Sequence, residues 1–209
     1  MITRQATLSR KIFCHRGLWG SSIPQNSMSA HTLAHESGFS IETDIRRLKS
    51  EIVLSHDSPQ DFESLELNSL ADFGCSFALN IKEDGLLGLI EPFRLWIDDT
   101  KSFVFDGSLP EMFRYQNAGI PHALRLSEYE KVLPWDSGII WLDSFHEDWW
   151  LDNKEIESIF EKARIIVVSP ELHGRDPQYV WDYLFENDLI NTFDISLCTD
   201  KPLDFLSWN

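Results

Sequence analysis

Short apolar runs, several rich in β-branched residues, recur along the chain and stop on polar groups. They cover residues 12–15, 39–46 with 52–56 close behind, 77–82, 103–106, 122–126, 139–145, 165–169 and 192–198. Stretches with the three-and-four spacing of an amphipathic helix lie between most of them. In residues 27–37 Ala30, Leu33 and Ala34 share a face; in 155–163 Ile156, Ile159, Phe160 and Ala163 do; in 178–186 Val180, Trp181, Leu184 and Phe185 do. Strand then helix, repeated, predicts parallel strands joined by right-handed crossovers. Counting 39–56 as one strand with an appended hairpin gives eight units, which predicts a compact (β/α)8 barrel. An open doubly wound sheet is the competing architecture. Neither Gly-rich nucleotide-binding loop is present, nor any repeat or linker, so residues 1–209 read as one domain.

A barrel carries its chemistry at the C-terminal ends of its strands. Here those ends are His15-Arg16, Glu42-Thr43-Asp44, His56-Asp57, Asn80-Ile81-Lys82, Asp106, Arg125, Asp143, residues 169–173 and Thr199-Asp200. Side chains alternate across a strand, so Glu42 and Asp44 point one way and Ile41 and Ile45 the other. Two inward carboxylates repel each other unless a cation sits between them. Hard cations such as Mg2+ and Ca2+ take such oxygen ligands. An exposed edge strand would show the same alternation. Asn80 and Lys82 also share a face; an amide oxygen is a neutral ligand, and an ammonium holds phosphate or developing negative charge.

His15 and His56 each close an apolar run, and imidazole titrates nearest neutrality. Arg16 offers a planar fork for phosphate oxygens, and Gly17 lets the chain turn tightly. Cys14 points away from His15 and is no nucleophile. Together these groups suit metal-assisted attack on a phosphodiester, one histidine taking a proton and the other giving one. Asp143, beside Trp141 and Phe145, would serve either as a contact for a substrate hydroxyl or as a loop carboxylate.

Charge sharpens this picture. Asp and Glu number 34 against 18 Lys and Arg, a formal charge of −16. Such a surface repels nucleic acid and anionic membranes, so an anionic substrate needs local positive charge, which Arg16 and Lys82 supply. No stretch approaches about 18 uninterrupted apolar residues, so no membrane insertion is expected. Residues 1–11 do not read as a secretory signal. Cys14, Cys75 and Cys198 are odd in number and unpaired in spacing, which predicts free thiols. The expected location is cytoplasmic.

In this ordered set the sequence resembles the glycerophosphodiester phosphodiesterases. Their His-Arg-Gly is matched by His15-Arg16-Gly17, and their Pro-Glu-Asn-Thr by Pro24-Gln25-Asn26-Ser27, with Ala30 following. Glu-x-Asp is present as Glu42-Thr43-Asp44, His-Asp as His56-Asp57, and Thr-Asp-x-Pro as Thr199-Asp200-Lys201-Pro202. The resemblance implies a (β/α)8 phosphodiesterase in which His15 and His56 are the acid–base pair. It implies Mg2+ or Ca2+ on Glu42 and Asp44, with Arg16 and Lys82 on the phosphate of a small phosphodiester. Two departures stand out. Asn80 occupies the place of the family's third acidic ligand. Only residues 58–76, which must also hold the second helix, stand where the family carries a cap insertion. A lyase forming a cyclic phosphate would use much the same residues. A phosphodiester-binding protein without turnover would keep the pocket.

Overall fold

The computed structural model describes residues 4–59, 65–151 and 153–208. The strands are β1 (Ile12–His15), β2 (Ser40–Leu48), β3 (Glu51–Leu54), β4 (Phe77–Ile81), β5 (Phe103–Phe105), β6 (Leu124–Leu126), β7 (Ile139–Leu142), β8 (Arg164–Val168) and β9 (Ile195–Thr199). Eight of them run parallel in the order β5-β4-β2-β1-β9-β8-β7-β6, while β3 folds back antiparallel on β2 outside this row. The two ends of the row meet at a single bridge between Val104 and His122. There the Val104 N–H donates to Pro121 O at 3.0 Å and the Ala123 N–H to Val104 O at 2.9 Å. The result is the nearly closed (β/α)8 barrel that the strand–helix rhythm predicts.

Strands buried on both faces need apolar groups on both, and the alternation sorts them. Ile12, Cys14, Ile41, Ile45 and Leu79 face the helical layer. Phe13, Ala78, Phe103, Phe105, Trp141 and Ile166 fill the barrel. Phe105 and Trp141 stack there with centroids 3.9 Å apart. Each such ring contributes roughly 1.5–3 kcal/mol on burial. Four of them offset the several kcal/mol per ion that desolvated carboxylates cost above them.

Helix ends follow local chemistry. Ser27 caps Met28–Glu36 by accepting the Ala30 N–H at 3.2 Å, and Gly119, at φ 67°, closes Leu109–Ala118. Ala30 and Ala34 are buried as expected, but Leu33 is 38% exposed and His31 is buried in its stead. Ala30 is pressed against the turn at Gly17, which rotates the inner stripe of the helix toward residue 31. Burial drives the His31 imidazole down to about 4.

The last strand begins at Ile195 rather than Thr192, because Leu189–Thr192 is helical. In residues 58–76 the expected second helix is replaced, among the described residues, by a 3-10 turn at Leu67–Leu70; residues 60–64 lie outside them. Leu54 donates to Leu65 O at 2.7 Å and Val53 bridges Glu66. That extended pairing holds residues 65 and 66 against β3, and the chain turns into β4 through the 3-10 turn. The three cysteines are free thiols, and among the described residues no helix is long and apolar enough to cross a membrane.

Candidate active site at the barrel mouth

The side chains that alternate inward below as rings emerge above as polar groups. Parallel pairing sets His15 beside Glu42 on one side, and Cys14 beside Thr199 on the other. That register carries Asp200 to His15, and its Oδ1 lies 2.8 Å from His15 Nδ1. A carboxylate there fixes Nδ1 as the protonated nitrogen and leaves Nε2 for the mouth. Nε2 lies 3.9 Å from Glu42 Oε2. Burial pulls the His15 pKa down, but Glu42 and Asp200 outweigh it and the net shift is upward. Trp19 Nε1 donates to His15 O at 3.0 Å and to Asp200 Oδ1 at 3.2 Å. Glu171 holds the Asp200 loop, accepting from its N–H at 3.2 Å and from the hydroxyls of Ser169 and Thr199.

Arg16 adopts φ 58°, unusual for a residue with a side chain, and in that turn its N–H donates to Glu42 Oε2 at 3.0 Å. Its Nε lies 2.9 Å from Asp44 Oδ2, and its Nη1 donates to Gln25 Oε1 at 2.9 Å. Lys82 Nζ lies 3.1 Å from Asp44 Oδ1. Asn26 ties the layer together: its Nδ2 donates to Asp44 Oδ2 at 2.8 Å, and its Oδ1 accepts from Thr43 Oγ1 at 2.9 Å and the Asp44 N–H at 3.2 Å. The two neighbouring carboxylates therefore diverge. Burial works to raise the Asp44 pKa, but Lys82, Asn26 and Arg16 outweigh it and hold it below the usual value. Burial, reinforced by the Asp44 charge, pushes Glu42 up to about 7 against the pull of His15 and Lys82.

Asn80 lies beside Asp44 in the β2–β4 register. Its Oδ1 and Glu42 Oε1 are buried oxygens with no hydrogen-bond partner. Such hard, unspent oxygens suit Mg2+ or Ca2+. Asp44 is already balanced by two cationic side chains, so Glu42 and Asn80 are the donors with capacity to spare. Among the described residues no cluster of three or more His, Cys, Asp or Glu groups is placed to hold a metal.

The barrel thus brings His15, Arg16, Glu42, Asp44, Asn80 and Lys82 to one mouth. His56 stands apart on the rim. It is held there by Arg46 Nε donating to His56 O at 2.9 Å, and among the described residues its half-exposed ring pairs with the exposed Asp57, at 2.9 Å. Asp143 accepts from His173 Nε2 at 2.7 Å and from the Ser144 N–H at 2.9 Å. Asp106 meets Arg125 at 3.1 Å. Asn26, Glu171 and Trp19 were not singled out from the sequence for any role in the site. Their signal is tertiary: Asn26 acts through β2, and Glu171 and Trp19 through the Asp200 loop.

No family model matches this chain, and no curated protein sequence does either. Solved structures do. A glycerophosphodiester phosphodiesterase from Agrobacterium tumefaciens str. C58 superposes with a TM-score of 0.64 at 17% identity, over 94% of this chain and 97% of that one. A candidate glycerophosphodiester phosphodiesterase from Galdieria sulphuraria gives 0.67 at 18% identity, with the same coverage. A glycerophosphoryl diester phosphodiesterase from Parabacteroides distasonis ATCC 8503 gives 0.53 at 14%, over 98% of this chain and 91% of that one. At these identities the likeness is one of fold.

Proposed function

We propose that this chain hydrolyses glycerophosphodiesters or a related small phosphodiester at the barrel mouth. The observation that carries this reading is the buried Glu42–Asp44 pair flanked by His15, Arg16 and Lys82. The shared fold with solved glycerophosphodiester phosphodiesterases supports it. Arg16 and Lys82 receive the phosphate oxygens, supplying the positive charge that a chain of −16 otherwise lacks. His15, oriented by Asp200, takes the proton of the attacking oxygen at Nε2. His56, on the rim, returns a proton to the departing alcohol oxygen. A divalent cation, Mg2+ or Ca2+, would be held by Glu42, Asp44 and Asn80, and when bound it would neutralise phosphate charge and acidify an oxygen nucleophile.

The test is release of glycerol 3-phosphate from a panel of glycerophosphodiesters with Mg2+, Ca2+ or a chelator. Metal-dependent release is the expected result. A cyclic phosphate product would identify a lyase instead, and absence of turnover on every diester would overturn the reading.

Glu42 gives the cation a pH signature. With its pKa at about 7, a proton occupies the carboxylate below that pH and competes with the ion. Affinity for Mg2+ or Ca2+ is expected to rise roughly tenfold per pH unit up to about pH 7 and then level off. Calorimetric titration between about pH 5.5 and 8 checks it, and a flat profile would place the ion elsewhere. In the same titration Asn80→Glu, which supplies a third carboxylate, is expected to tighten binding by about tenfold or more. Two observations favour a second reading, phosphodiester binding without turnover: Asn80 stands where a charged ligand would be stronger, and among the described residues no hydrogen bond or ion pair joins His56 to the His15 cluster.

A further inference from the structure

We propose that a cavity at the opposite end of the barrel binds a small phosphate-bearing anion. It measures about 430 Å³ and opens among the N-terminal ends of β1, β2, β4, β5 and β8. Arg10, His35, Lys101 and Arg164 line it, and among the described residues Asp99 is the one acidic side chain that does.

Arg164 is the centre of the argument. It is the first residue of β8, and its guanidinium lies over the rings of Phe13 at 5.5 Å and Phe103 at 5.4 Å, closing the barrel floor. Its hydrogen bonds run to two neutral acceptors, Lys101 O at 2.8 Å and Ser76 Oγ at 3.3 Å. Burial pushes its pKa down, and Asp194 opposes this only from beyond ion-pair distance. A cation drawn out of water without a counter-charge is costly until an anion arrives.

A plug would need Arg164 alone. Arg10 and Lys101 are exposed at the rim of the same cavity, and neither side chain enters an ion pair among the described residues. Three cationic side chains without an ion pair among the described residues thus line one cavity, against the single carboxylate of Asp99, in a chain whose formal charge is −16. A planar fork beside an ammonium is the donor set that phosphate oxygens recruit. Phe39 and Cys75 supply an apolar wall for a small organic body. The site is independent of the proposed hydrolysis, and its test needs no turnover.

That test is calorimetric titration of the full chain with inorganic phosphate at constant ionic strength, with Lys82→Ala present to weaken phosphate binding at the mouth. Binding of one phosphate per chain is expected. Adding Arg10→Gln and Lys101→Asn should weaken it by about tenfold or more. Both positions are exposed, and Asn tolerates the φ of 55° at residue 101, so the fold is retained. No binding to the Lys82→Ala chain, or an unchanged isotherm in the triple variant, overturns the proposal and leaves Arg164 a structural plug. Glycerol 3-phosphate is the second probe. Tighter binding than inorganic phosphate identifies a phosphomonoester as the occupant, and equal binding identifies free phosphate; either supports the site.

Discussion

His15→Gln is expected to lower kcat/KM by about a thousandfold on any diester the protein turns over. Glutamine fills much of the same space and can still bond to Asp200, but it cannot carry a proton at neutral pH. The loss therefore reads proton transfer rather than packing. The surroundings of His15 suit such a task. Asp200 lies 2.8 Å from Nδ1 and Glu42 lies 3.9 Å from Nε2, and together they hold the ring's pKa above its ordinary value in spite of burial. Steady-state rates, with circular dichroism to confirm folding, decide the matter. A variant within about threefold of wild type would remove His15 from the chemistry.

Gly17→Ala should destabilise the chain by about 3 kcal/mol, summing left-handed backbone strain and overpacking. Gly17 has φ 85°, a conformation a side chain resists. A Cβ built there would stand 2.8 Å from both the carbonyl carbon and the Cβ of Ala30, and neither is the end of a flexible side chain. Relief requires moving the helix at 28–36 or the turn that aims the Arg16 N–H at Glu42. Activity should therefore fall along with stability. Gly20→Ala is the control, since a Cβ there has nothing within 4 Å and its φ is ordinary. Urea denaturation of both variants checks the contrast, and equal midpoints would refute the steric argument.

How much of this was legible depends on whether the signal is local. Period-two alternation in residues 40–46 turns Glu42 and Asp44 inward and Ile41 and Ile45 outward, as the structure has them. The strand–helix rhythm yields the barrel for the same reason. The Asp200–His15 bond was hidden because the partners are 185 residues apart and meet only through the β1–β9 register. The local pattern marks Asp200 as a strand end and carries no sign of its partner. Leu33 misled because periodicity locates an apolar stripe without its rotation, which the Gly17–Ala30 contact sets. Asn26 was noticed in a motif, but its reach into β2 depends on a left-handed φ of 55° that no pattern announces.

The single bridge between Val104 and His122 has a mechanical consequence. A cylinder joined by full ladders everywhere but one place is a split ring. Its compliance concentrates at the gap, where β5 and β6 are three residues each. A cavity of about 670 Å³ lies beside that seam, lined by Asp106 and Arg125, whose ion pair at 3.1 Å crosses from one strand end to the other. On the opposite arc, β2, β1 and β9 hold His15, Glu42 and Asp200 in continuous ladders. The mouth is therefore built asymmetrically: His15, Glu42 and Asp200 stand on an arc held by continuous ladders, while the β5–β6 side is held by one bridge and the Asp106–Arg125 ion pair.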